Sequence, residues 1–200
     1  MRKPTIATLW CLLGLLAACS PRDFLTRRLA GDLIEASDAF KATQRFWLRR
    51  GVISNKDYVS PQYLVLQKHG WINVSNMACP PQIGPPPCWD VALTPLGVET
   101  FRTLIQGNAV ESSYFSVPAA RRQLIAVSGI SKEQPLAEVD FVWKWAPLNE
   151  VGVAFYGDGV QYTSTVGFRK YDDGWRVIES TQAKHYPSMD EALKDAASTP

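Results

Sequence analysis

Apolar residues recur with a helical period in the first half of the chain and mostly with a strand period in the second. Leu29, Leu33 and Ile34 follow Thr26, a residue able to cap a helix, and the pattern ends near Ser37. Arg45-Phe46-Trp47-Leu48 reads as a short strand, and residues 51–57 as a connection. Ser60-Pro61 marks the next helix start, a capping hydroxyl followed by proline at the first helical position. Tyr63, Leu64, Leu66 and Gln67 carry that helix to His69, and Gly70 stops it. Residues 71–74 and 89–92 read as strands on either side of a proline-rich segment, a hairpin with a long tip. Thr94-Pro95 then repeats the cap-plus-proline signal ahead of the stripe Val98, Phe101, Leu104 and Ile105.

Past the polar stretch at residues 106–113 the period changes to two. In residues 138–145 the odd positions are all apolar, which puts Val139, Phe141, Trp143 and Trp145 on one sheet face. Residues 123–128 offer a preceding strand, and residues 165–171 and 175–179 flank Asp172-Asp173-Gly174, where an Asp-Gly pair signals a tight hairpin. The pattern predicts an antiparallel sheet of about four strands. Ser188 and Glu191 have the spacing of a capping box and predict a short closing helix. The fold class is therefore α+β, with a helical and hairpin subdomain at residues 25–106 and an antiparallel sheet subdomain at residues 107–200. One face of that sheet is expected to pack on the first half in a shared core, because an apolar sheet face has to be covered.

The amino-terminal residues have a different layout. Arg2 and Lys3 precede an apolar run from about Ile6 to Leu16, and small residues precede Cys19. This is the order of a secretory signal, and the run is short for a stable span of a bilayer about 30 Å thick. Leu16-Ala17-Ala18-Cys19 resembles a bacterial lipobox, and the resemblance implies that residues 1–18 are a removed signal peptide. Cys19 would then become the acylated first residue, with residues 19–24 as a tether. Cys11 is preceded by Leu9 and Trp10, too bulky for that role, and falls in the leader. Members of the lipoprotein family carry three acyl chains, each buried methylene contributing about 0.8 kcal/mol, which makes anchoring effectively permanent. Ser20 rather than Asp after the cysteine implies, in the enterobacterial branch, transfer to the outer membrane.

Charge and cysteine usage then matter in that light. The chain has 21 Lys plus Arg against 19 Asp plus Glu, and removal of Arg2 and Lys3 with the leader brings the two counts level. A formally neutral domain lacks the concentrated basic face of a nucleic-acid binder, so no nucleic-acid partner is expected. Cys79 and Cys88 frame the proline-rich tip, and outside the cytoplasm such a pair reads as a disulfide. A zinc site would need further ligands, and His69 and His185 are not at metal-ligand spacing. No metal and no cofactor are expected.

The order of helix, strand, long tip, strand, Leu93-Thr94-Pro95-Leu96-Gly97 and helix, over residues 58–106, resembles a winged-helix domain. That family usually reads DNA with a basic helix. Residues 61–70 carry only Lys68 as a full positive charge, so the resemblance transfers the shape and none of the binding residues.

Catalytic signatures are sparse. The chain has no Gly-x-Ser-x-Gly turn, no His-Glu-x-x-His helix and no phosphate loop. His69 sits where a helix C-terminus favours a cation, and His185 lies in a polar connection. The acid pairs Asp172-Asp173 and Glu35 with Asp38 read as solvated. Trp143, Trp145 and Trp175 are explained by alternation as core, whereas Trp47 and Trp89 are less constrained and are the candidate binding residues, Trp89 beside the cross-linked tip. The leading expectation is a non-enzymatic envelope lipoprotein, held in the membrane by acylated Cys19, that binds an envelope protein or has a structural or assembly role. The alternative is a small-molecule or glycan binder using the C-terminal sheet face, with an envelope hydrolase third.

Overall fold

The computed structural model describes residues 24–105, 114–180 and 186–198. Cys11, Cys19, the leader, most of the tether and His185 lie outside the described residues. The chain is mixed α+β. In order it forms α1 (Arg27–Ala36), α2 (Asp38–Lys41), β1 (Gln44–Arg49), β2 (Gly51–Ser54), α3 (Asn55–Tyr58), α4 (Pro61–Lys68), β3 (Ile72–Met77) and β4 (Cys88–Leu93). There follow α5 (Pro95–Leu104), β5 (Tyr114–Glu133), β6 (Leu136–Pro147), α6 (Glu150–Tyr156), β7 (Gln161–Tyr171), β8 (Gly174–Val177) and α7 (Met189–Ser198).

The strands build a five-stranded sheet, β1-β5-β6-β7-β8, and a three-stranded sheet, β2-β4-β3. Pairing is antiparallel between β1 and β5, between β4 and both its neighbours, and between β7 and β8. The four strands expected after residue 113 are present, and the fifth is β1 from the first half of the chain. In it buried Phe46 and Leu48 alternate with exposed Arg45, Trp47 and Arg49, and Phe46 pairs with buried Val117.

Two local expectations are corrected. Residues 51–57, read as a connection, contain β2 and the start of α3. Ser54 caps this helix, accepting from the Asp57 amide at 3.2 Å and donating to the Asp57 carboxylate at 2.9 Å. Both elements have four residues, too few to show a period. At the β7–β8 hairpin, Tyr171 pairs with Gly174, so the turn residues are Asp172 and Asp173. Neither has positive φ, whereas Gly174 at φ 129° occupies a region that a side chain rarely enters. The glycine opens the returning strand instead of completing the turn.

The chain divides into two compact units, each assembled from separated stretches. One contains the described residues up to Phe40, Leu124–Trp143 and those from Tyr162 onward. Its core includes Ile34, Phe40, Val139, Phe141, Trp143, Phe168, Trp175 and Met189. Phe40 meets Phe141 edge-on at 6.3 Å. The Trp143 indole N–H donates to Ser164 Oγ at 2.9 Å, and that hydroxyl donates to the Ala192 carbonyl at 2.9 Å, which ties α7 to β6 and β7. The Ser188–Glu191 box closes as its spacing predicts. Glu191 Oε2 accepts from the Ser188 amide and hydroxyl at 2.9 Å each, and Ser188 Oγ accepts from the Glu191 amide at 3.4 Å.

The other unit contains Lys41–Gln123 and Lys144–Gln161 as far as they are described. Phe46, Leu48, Ile53, Tyr63, Leu66, Trp71, Phe101 and Val151 form part of its core. Its helices α5 and α6 begin alike. Thr94 Oγ1 accepts from the Gly97 amide at 3.0 Å, and Asn149 Oδ1 accepts from the Gly152 amide at 3.0 Å. A Cβ on Gly97 would collide with the Trp71 carbonyl, and one on Gly152 with the Ala119 carbonyl. Each glycine lets the first turn of a helix lie directly against a neighbouring backbone. At α4 the order differs: Pro61 opens the helix but Ser60 makes no side-chain cap bond. Gly70, at φ 70°, ends it as expected.

Candidate functional site

Trp47 and Trp89 belong to the same unit but do different things. Trp47 lies in β1 between buried Phe46 and Leu48, so alternation turns it to the opposite, solvent-exposed face. It is 52 % exposed and stacks on Tyr114 of β5, itself 54 % exposed, with ring centroids 5.3 Å apart and planes 15° apart. The register sets Trp47 opposite Ser116 and Arg49 opposite Tyr114. Arg45 is also on this face, its Nε donating to Ser116 Oγ at 2.9 Å and its Nη2 to the Ser116 carbonyl at 3.2 Å. The stacked pair thus lies on a strand face that also carries Arg45 and Arg49. Beneath the strand, the Tyr63 hydroxyl accepts from the Arg49 amide and donates to its carbonyl, both at 3.1 Å. Burial raises the Tyr63 pKa, an effect that the backbone bond opposes, so the phenol stays protonated.

Trp89 is half-buried. Its ring packs on Tyr58 with centroids 4.6 Å apart, and its indole N–H donates to Asn55 Oδ1 at 2.9 Å. It is a strut between β4 and α3, next to Cys88, which is bonded to Cys79 across a Cα separation of 5.1 Å. That disulfide is consistent with the spacing of the two cysteines.

His69 caps the C-terminus of α4, is exposed and stacks on the Trp71 ring at 4.8 Å. Asp172 and Asp173 are used at their hairpin: Asp172 Oδ1 accepts from the Asp173 amide at 3.0 Å, and Asp173 pairs with Arg176. Among the described residues there is no group of three or more His, Cys, Asp or Glu able to hold a metal ion. No helix among them is long and apolar enough to cross a membrane.

Sequence reading did not anticipate a small cleft of about 240 Å³ lined by Ser131, Glu133, Glu138 and Tyr186. Tyr186 donates to Glu133 Oε2 at 3.0 Å. Its pKa is raised first by desolvation and then by the Glu133 bond and the two carboxylate charges, so it acts there as a donor. The cleft residues come from the distant segments 131–138 and 186, and only the fold brings them together.

No protein-family model matches the chain, and no curated protein and no solved structure matches it.

Proposed function

We propose that the chain is a lipoprotein of the bacterial envelope, anchored through acylated Cys19 and facing the periplasm from the outer membrane, whose folded part binds rather than catalyses. The observation that carries the anchoring is Leu16-Ala17-Ala18-Cys19 at the end of an apolar run that follows two basic residues. The Cys79–Cys88 disulfide supports the compartment, because such bonds persist where the environment is oxidising. For the binding role the support is an exposed stacked aromatic pair on an antiparallel strand pair.

Within this reading residues 58–106 resemble a winged-helix module in shape and serve as a protein-binding or structural part and not as a DNA reader. Supporting it are the sheet order β2-β4-β3, the helix pair α3 and α4 between β2 and β3, and the cross-linked tip between β3 and β4. The poverty of α4 in positive charge and the export signal argue against nucleic acid.

Growth with an alkyne fatty acid should label the wild-type protein and leave Cys19→Ser unlabelled. A labelled Cys19→Ser protein would overturn the anchor. Crosslinked envelopes should yield a defined protein partner with the acylated form, and recovery no greater than with Cys19→Ala would count against the leading role. The second reading, a glycan or small-molecule binder, is favoured specifically by the Trp47–Tyr114 stack.

A further inference from the structure

We propose that the face formed by Arg45, Trp47 and Arg49 of β1 with Tyr114 and Ser116 of β5 is a binding site for an extended anionic glycan. This deepens the second reading above and is independent of the anchor.

One strand pair brings the relevant chemistry together. Trp47 and Tyr114 offer large, nearly parallel ring surfaces in solvent. Such surfaces suit the apolar C–H faces of sugar rings, which give contact area with little ordering cost for the side chains. Arg45 and Arg49 stand on either side of Trp47, four residues apart along an extended strand, hence with backbones about 13 Å apart. Guanidinium groups match carboxylate and phosphate oxygens in fork geometry. Neither Gln44–Arg49 nor the paired residues 114–120 contains an acid, so the face itself supplies no counter-charge. Ser116 takes two of the five N–H donors of Arg45, which fixes the group and leaves its other edge directed away from that partner.

Separation of the two charges selects the occupant. A single sugar covers the rings and offers at most one acid, whereas a chain with an acid on successive units offers one to each guanidinium group. A membrane surface fits less well. Interfacial binding grows with the apolar area inserted, and here two aromatic side chains alternate with polar ones on a fixed strand pair. Fixing Arg45 on Ser116 instead lowers the ordering cost of a defined ligand contact.

The test uses the full chain in detergent, titrated calorimetrically with galacturonate, octagalacturonate, a neutral galactose oligomer of equal length, and phosphatidylglycerol vesicles. The octamer should bind at least tenfold more tightly than the monomer or the neutral oligomer, and more weakly as salt rises. Trp47→Ala and Arg49→Gln should each weaken it about tenfold or more with an unchanged melting temperature, and Cys19→Ser should bind like the wild type. No octamer binding, octamer binding indifferent to Trp47→Ala, loss of binding in Cys19→Ser, or binding of vesicles alone would each overturn the proposal.

Discussion

At Ser188 and Glu191 two residues satisfy each other's backbone. The Ser188 amide and then its hydroxyl hold the Glu191 carboxyl below the usual carboxylate range. A lowered folded-state pKa means that the stabilisation is fully present above the unfolded value of about 4.3 and is lost as pH falls through the folded value. A Glu191→Ala protein should therefore melt below wild type at neutral pH, and the gap should close on acidification towards pH 3, as followed by circular dichroism. Ser188→Ala should cost about 1 kcal/mol by denaturant titration. The two tryptophans left open by periodicity give a second contrast. Trp89→Phe removes the indole bond to Asn55 and should lower stability by about 1 kcal/mol, whereas Trp47→Ala should stay within about 0.5 kcal/mol, both read from denaturant midpoints. The sequence placed Trp143, Trp145 and Trp175 correctly in the core, because alternation is a property of the residues themselves. It did not show that Trp89 is a strut, because Asn55 and Tyr58 fall in a stretch too short to carry a period.

Helix starts were the most legible elements. Thr26, Thr94 and Ser188 each accept the amide bond expected of a cap, while Ser60 does not and leaves Pro61 to set the first turn. Helix α6 escaped notice because Val151, Gly152 and Val153 are poor helix formers. The usable cue was Asn149, whose side chain accepts from the Gly152 amide, with Glu150 beside it in the first turn. Tertiary packing overrides propensity there, since the missing Cβ of Gly152 lets α6 reach the Ala119 carbonyl. Gly152→Ala should destabilise by about 1–3 kcal/mol despite the better helix propensity of alanine, the sign that separates close approach from intrinsic preference. At Gly31 the added Cβ would meet Leu124 Cδ2 at 3.3 Å, the end of a side chain that can move, so Gly31→Ala should cost less. Equal losses in a chemical denaturation series would remove the distinction.

Across the whole molecule, chain order and spatial grouping part company. Periodicity is local, so it identified the strands of residues 114–177 but not that β1 joins them, nor that each compact unit draws on separated segments. The candidate glycan surface was half legible for the same reason: Trp47 could be singled out, but Tyr114 and Ser116 reach it only through the β1–β5 register. The Cys79–Cys88 bond links the scale of the fold to that of the proposed compartment. It closes a ten-residue tip carrying five prolines, so the loop entropy withdrawn from the unfolded chain is worth roughly 2–3 kcal/mol. A double Cys79→Ser, Cys88→Ser variant should lose about that much, and a reductant should lower the wild-type midpoint to the variant's without moving the variant. If the proposed export holds, the protein in cells should resist a thiol-reactive maleimide at Cys79 and Cys88 until reduced, whereas a Cys19→Ser form lacking residues 2–18 and held in the cytoplasm should react. Exported protein that labels without reduction would break the link between the leader and the disulfide, since an oxidising compartment is what lets the bond persist.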